Sequence, residues 1–178
     1  MYIISLGIRK GYPTFHKYGI TWIPECYNKN MTNRTTLTET EIIFTNTQRV
    51  ARLATSDLDG HPHIVPVCYA FDGTHFYIPL DEKPKKVHES RLRRVRNIEA
   101  RHEASLLLDQ YDDDWSRLGY VLVHGHAELI QSDDSLHAQA LVLLRKRYIQ
   151  YRSMELEKHS VIIITPDSVT SWGPAIGK

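Results

Sequence analysis

Arg49-Val50-Ala51-Arg52-Leu53-Ala54-Thr55, Asp57-Leu58-Asp59-Gly60, His61 to Phe71, Asp72-Gly73 and Thr74 to Pro79 follow one another almost without a break. The apolar runs are short, rich in β-branched and aromatic residues, and separated by Asp and Gly. That pattern predicts three strands joined by two tight turns, a meander. Pro62 and Pro66 fall inside the second strand. Proline donates no ladder hydrogen bond, so this strand is expected at an edge, at a bulge, or with backbone left open to a ligand.

Outward from this stretch the periods alternate. Upstream, Thr38 and Glu41 form a capping box, with Leu37 against Ile42 as its staple, for a short helix to about Asn46. Downstream, Lys83 to Arg101 reads as a basic helix with eight Lys/Arg against Glu89 and Glu99, and Val87, Leu92, Val95 and Ile98 as its buried stripe. Ala104 to Leu108 is a short buried strand. Tyr120 to Ile130 is a long one with polar residues 124, 126 and 128 on one face. Ser132-Asp133-Asp134 caps a helix to about Tyr148, whose apolar face is Leu136, Ala140, Leu143, Leu144 and Tyr148. Val161 to Thr165 and Val169 to Trp172 close the chain as one interrupted strand. Six antiparallel strands and three helices make a mainly β fold. They suit a small closed or split barrel, because a doubly wound sheet needs a crossover helix after nearly every strand.

Composition sets the class. A chain of 178 residues, 42% apolar and 24% charged, is a soluble globular chain built on one core. No apolar run reaches the roughly 18 residues that span a bilayer, so no membrane role is expected. The net charge of +1 argues against nucleic-acid binding by bulk electrostatics. Residues 1–36 carry five basic side chains against Glu25 alone. Subtracting these from 22 Lys+Arg and 21 Asp+Glu leaves 17 basic and 20 acidic residues in 37–178. The first 36 residues show neither apolar period and are expected to be an unstructured or weakly structured extension, or a start placed too early with Met31 as the true one. Residues 37–178 form the domain. Cys26 and Cys68 make no disulfide framework and fit a reducing cytosol, so a cytoplasmic location is expected.

Three constellations could carry chemistry. Asp81-Glu82-Lys83-Pro84-Lys85-Lys86 stands where a strand gives way to a helix, and lysines beside a helix start suit a phosphate or carboxylate. In Asp109 to Arg117 three consecutive acids run into Trp115, without the spaced ligands and turn glycine of a hard-cation loop. There Asp112 or Asp114 is expected to fix Arg117, and Trp115 to pack over a flat ligand. His61-x-His63 and His124-x-His126 each place two imidazoles on one face of a strand. No acid or cysteine spacing completes a ligand set, so no metal site is assigned. Neither a Gly-x-Ser-x-Gly elbow nor a Gly-x-Gly-x-x-Gly turn occurs, which leaves serine-nucleophile and Rossmann chemistry without support.

Taken together, residues 49–55, His61 to Val67, Phe71-Asp72-Gly73, Phe76 to Pro79, Lys83-Pro84-Lys85 and Tyr111 to Arg117 resemble the pyridoxamine 5'-phosphate oxidase-like FMN-binding split-barrel superfamily. Within it they are similar to the branch of deazaflavin (coenzyme F-420)-dependent enzymes. The resemblance runs from about residue 40 to Trp172. It implies a six-stranded antiparallel split β-barrel of the FMN-binding type, forming a homodimer with deazaflavin (preferred) or FMN between the subunits. Lys83, Lys85 and Lys86 would hold the cofactor phosphate. The ring would lie along His63, Val65, Pro66 and Val67 with Tyr77 and Ile78, and Trp115 and Trp172 would contact the cofactor. Arg52, Tyr111 and Arg117 would line the substrate, and no catalytic acid stands out. The implied activity is hydride transfer to or from a small organic substrate. The alternative is a non-catalytic flavin or haem carrier with His63 or His124 as the haem ligand. The terminal Ser171-Trp172-Gly173-Pro174 lacks the Arg that pyridoxal phosphate binding requires, so vitamin B6 synthesis is not the implied role.

Overall fold

Thr38 starts the first helix as its sequence predicts. Its hydroxyl accepts from Glu41 N, and the Glu41 carboxylate accepts from Thr38 N at 2.8 Å, opening α1 (Glu39–Thr47). The computed structural model describes residues 34–81 and 91–177. The chain divides into units 1–31 and 32–178, and the second is the one described. Lys83, Lys85 and Lys86, with the first part of the basic helix, lie outside the described residues. Arg34 and Thr36, counted with the extension by sequence, are tied to the domain. Arg34 O accepts from Val169 N at 2.7 Å, and the Arg34 guanidinium donates to Thr36 O and Glu41.

The strands are β1 (Ala51–Ser56), β2 (Pro62–Val67), β3 (Ala70–Phe71), β4 (Phe76–Pro79), β5 (Glu103–Gln110), β6 (Gly119–Ile130) and β7 (Val161–Trp172). They form one antiparallel sheet in the order β2-β1-β5-β6-β7-β4-β3. Two corrections follow. Among the described residues there are seven strands rather than six, and the meander does not form, because the run His61 to Phe71 breaks at Cys68-Tyr69. Its halves go to opposite edges of the sheet. Val67 and Ala70 are three Cα steps apart, at most about 11 Å, whereas the edges of a flat seven-stranded sheet would stand on the order of 29 Å apart. The sheet must therefore curl until its edges meet, which is the geometry of a split barrel.

A side chain from the last helix stabilises the break. Tyr69 N donates to the Tyr148 hydroxyl at 3.1 Å, and that hydroxyl lies 2.9 Å from Arg49 O and 3.0 Å from Tyr69 O. The Tyr69 hydroxyl in turn donates to Thr45 O, and the Arg147 guanidinium lies 4.8 Å over the Tyr69 ring. These groups stand in for the ladder partners that the chain loses in passing between edges. Tyr148→Phe is expected to lower the unfolding free energy by about 1–3 kcal/mol, because it strands a buried N–H. Urea denaturation of the two proteins measures this.

Two apolar clusters hold the fold. Inside the curl, Leu53, Phe76, Ile78, Leu106, Val121 and Ile162 pack with Val95 and Ile98 of α2 (Arg93–Arg101). On the other side of β4 and β7, Tyr77, Ile130, Ile163 and Tyr151 pack under α3 (Ser135–Arg147), which Asp134 caps. All four residues of β4 are buried because the strand is covered on both faces. Among the described residues no helix is long and apolar enough to cross a membrane.

Candidate functional site

β2 is an edge strand, as its prolines require, and its register with β1 sorts the side chains. Thr55↔His63, Leu53↔Val65 and Ala51↔Val67 turn inward, while Arg52↔Pro66 and Ala54↔Ile64 turn outward. The residues expected along a cofactor ring thus divide between two faces. His63 and Val65 are half-buried, Val67 is buried, and Pro66 is exposed. Tyr77 and Ile78 are fully buried, Tyr77 beneath α3 with its hydroxyl on Asp72 Oδ2 at 2.8 Å, and Ile78 within the curl.

The inward end of β2 meets α2. Burial first, then the positive charges of Arg93 and Arg94, hold the His63 imidazole below its ordinary range and favour its neutral form. Among the described residues Arg94 Nε is buried with no hydrogen-bond partner, and burial lowers that guanidinium although Asp81 opposes the shift. Asn97, at the middle of α2, donates to Thr55 Oγ1 at 3.0 Å and locks α2 against β1. Neither Arg93 nor Arg94 stands out in the sequence, where both are lost in a run of basic residues. The signal was Val95 and Ile98, which fix the face of the helix that turns inward.

The outward face carries the remaining candidates. Cross-strand partners line up as Arg52, Leu107, Leu122 and Thr170 in one row, and Asp109, Tyr120 and Trp172 in the next. Arg52 lies 3.6 Å from Asp109, and the Trp172 ring lies 6.2 Å from that of Tyr120. Arg117 pairs with Asp112 at 3.1 Å, one of the two acids expected to fix it, while the Asp114 carboxylate accepts from Ser116 N instead. The loop before β6 displays Tyr111 and Trp115, which are 75% and 73% exposed.

A third row, Ala54, Ser105, His124 and Ser168, opens into a cleft of about 410 Å³ bounded by Ser56, Pro62, Glu103 and Asp167. Ser105 Oγ and His124 Nδ1 are 2.7 Å apart. Asp167 reaches the cleft because β7 bulges there: His124 faces Ser168 while Gly125 faces Pro166. Gly125 permits this approach, since a Cβ at that position would stand 2.3 Å from Thr165 O. His126 lies on the same face, its ring 5.5 Å from that of His102. Among the described residues, Asp57, Asp59 and His61 hold three donor atoms within 4.8 Å of one another. Those of Asp57 are spent on its turn, where Oδ1 accepts from Asp59 N and His61 N, and both oxygens lie 3.2 Å from His61 Nδ1.

The sequence profile described as pyridoxamine 5'-phosphate oxidase matches residues 39–173. No curated protein matches the chain. Similar solved structures include the conserved protein Rv2991 of Mycobacterium tuberculosis, 23% identical with a TM-score of 0.63, over 84% of this chain and 92% of that one. HutZ, a haem storage protein of Vibrio cholerae, is 15% identical with a TM-score of 0.58, over 76% and 93%. A haem-binding protein of Mycobacterium smegmatis is 16% identical with a TM-score of 0.58, over 78% of this chain and 58% of that one. At these identities the likenesses establish the split-barrel fold.

Proposed function

The chain belongs to the pyridoxamine 5'-phosphate oxidase family, and from that premise we propose that it is an oxidoreductase binding a phosphate-bearing flavin-type cofactor, deazaflavin (coenzyme F-420) or FMN. The observation that carries this reading is the end of β2 where half-buried His63 lies in the positive field of Arg93 and Arg94, and where, among the described residues, the buried Arg94 Nε–H has no hydrogen-bond partner. An anionic group satisfies that N–H and offsets the desolvated charge, so the residues present fit a phosphate. Lys83, Lys85 and Lys86 precede Arg93 and Arg94 on the same basic stretch of sequence and would complete the anion site in this reading. The proline-interrupted edge at Val65 and Pro66 leaves backbone free for a ring, and Trp115 and Trp172 supply exposed aromatic faces. When bound, such a cofactor supplies hydride transfer to or from a small organic substrate. The chain's own residues bind, orient and exclude water, with Arg52, Tyr111 and Arg117 available to anchor substrate. The outward face, with exposed Ile64 and Trp172 beside half-buried Leu107 and Leu122, suits a second copy, so a homodimer with the cofactor between subunits is part of the proposal.

Equilibrium binding of FMN and of the deazaflavin to the full chain tests this. Lys83→Ala with Lys85→Ala, and separately Arg94→Ala, are each expected to weaken binding by about 2 kcal/mol, roughly thirtyfold. Wild-type affinity in both variants would sink the anion-site assignment. A second reading, non-catalytic carriage of flavin or haem, draws on the cleft at His124, whose Nδ1 is engaged by Ser105 and whose Nε2 is left for an axial bond. A Soret band on adding haemin, lost in His124→Ala or His63→Ala, would favour it over the flavin reading.

A further inference from the structure

We propose that Glu41 is a positioning residue of the candidate cofactor site: through Ser171 it fixes the end of β7, so that Trp172 presents its indole as a stacking face for the flavin-type ring. The identity of the ligand rests on the flavin reading above, and the positioning rests on how α1 meets β7. Ser171 and Trp172 are neighbours on a strand, so their side chains leave on opposite faces. Ser171, whose cross-strand partner is the buried Val121, turns inward and donates its hydroxyl to Glu41 Oε1. Trp172, whose partner is Tyr120, turns outward and is 55% exposed.

On its second edge β7 pairs with β4 only from Val161 to Ile164, and among the described residues no strand continues that pairing towards Trp172. The segment around α1 takes its place. Arg34 O accepts from Val169 N at 2.7 Å, and two residues further on Ser171 meets Glu41. The Glu41 carboxylate is wholly buried and itself fixed, because Arg34 donates to both oxygens at 2.5 and 2.7 Å and Thr38 N donates at 2.8 Å. An apolar side chain of similar volume often serves stability as well as a buried ion pair does, so what the carboxylate adds here is direction. Past Trp172 the chain is held again. Gly173, at a φ of +115°, brings it against Leu118, and Ala175 N donates to Leu118 O at 3.0 Å. Leu118 closes the turn that carries Trp115, so the same contacts hold two exposed indoles on adjoining segments. The Trp172 ring, 6.2 Å from that of Tyr120, therefore stands on backbone fixed before and after it while one face stays open. An aromatic ring held in this way loses little freedom on meeting a flat ligand, which is what a stacking face requires.

Glu41→Ala would also lose the buried ion pair, so the test is Ser171→Ala, which cuts the link towards Trp172 and leaves Arg34 on Glu41. Near-UV circular dichroism of the full chain reads the positioning without a ligand. The band that Trp172→Ala removes from the wild type should be mostly lost in Ser171→Ala and kept in Ser171→Thr, which retains the hydroxyl. Fluorescence titration with FMN and with the deazaflavin reads its use. Trp172→Ala should weaken the tighter of the two about tenfold. Ser171→Ala should weaken it about fivefold, and should cost nothing further in the Trp172→Ala background, because the two residues act as one. Far-UV circular dichroism and urea midpoints check that each variant is folded. A Trp172 band unchanged in Ser171→Ala, or the same loss of affinity on adding Ser171→Ala to Trp172→Ala, would overturn the positioning while the flavin reading stands. A wild-type chain that binds neither flavin would overturn the flavin reading and with it the ligand assigned to Trp172, and the dichroism would still decide whether Glu41 and Ser171 hold that ring in place.

Discussion

Glu41→Ala is expected to lower the unfolding free energy by about 3 kcal/mol, because it removes a buried carboxylate and with it the shared acceptor of the Arg34 guanidinium, the Ser171 hydroxyl and Thr38 N. The Glu41 side chain is wholly buried, and Arg34 donates to both of its oxygens at 2.5 and 2.7 Å. Ser171 and the Thr38 backbone donate to it as well. Burial alone would raise this carboxyl. The hydrogen bonds from Arg34, then Ser171 and Thr38, outweigh burial and hold it at about 2 against an ordinary 4.5. The sign follows from the lowered value: the charged form is favoured in the folded protein, so its stabilisation is complete above about pH 4.5. It fades as the pH falls towards 2. Glu41→Gln keeps an acceptor for Thr38 N but has no charge to lose. It should be less destabilised than Glu41→Ala and show a flatter acid limb between pH 4.5 and 2. Urea midpoints across that range measure both effects, and equal acid limbs in Glu41→Gln and wild type would refute the assignment.

Gly125→Ala is the second large effect, with a loss of about 3 kcal/mol or more. The added methyl would meet Thr165 O at 2.3 Å and the Ile164 side chain at 3.0 Å, and backbone cannot swing aside as a flexible side chain can. β6 and β7 would have to separate at the bulge, which moves Asp167 away from His124. Gly60→Ala is the control. Gly60 has a φ of +84° in the Asp57–Gly60 turn but nothing within 4 Å of its Cβ position, so it costs only the roughly 1 kcal/mol of a left-handed alanine. Thermal denaturation should therefore rank Gly125→Ala well below Gly60→Ala, and similar midpoints would show that the close approach at Gly125 is not what holds the bulge together.

What was legible in the sequence is what neighbouring residues decide among themselves. The Thr38–Glu41 box, the Asp57–Gly60 hairpin, the edge position of a strand holding Pro62 and Pro66, the alternation of β6 and the Asp134 cap all depend on contacts a few residues apart. The clamp of Arg117 by Asp112 belongs with them. So does the count of three helices, because helical period and capping are local.

Tertiary structure decided the rest. Nothing near Cys68-Tyr69 announces a break, since the groups that replace its ladder partners come from Tyr148, 79 residues away. Once the chain breaks there, two strand edges are tied together and the sheet must curl. The resemblance puts Tyr77 and Ile78 along a cofactor ring, but a strand covered by a helix on one side and the barrel interior on the other buries both. In the candidate site the divide is the same. His63 and His124 could be singled out by residue type, but Arg93 and Arg94 beside the first, and Glu103 and Asp167 beside the second, are brought there by packing and by a bulge. Local sequence therefore determined most of the elements and which residue types are available for chemistry. The long-range closure of the sheet decided which of those residues share a site, because contacts between residues remote in sequence leave no period or spacing to read.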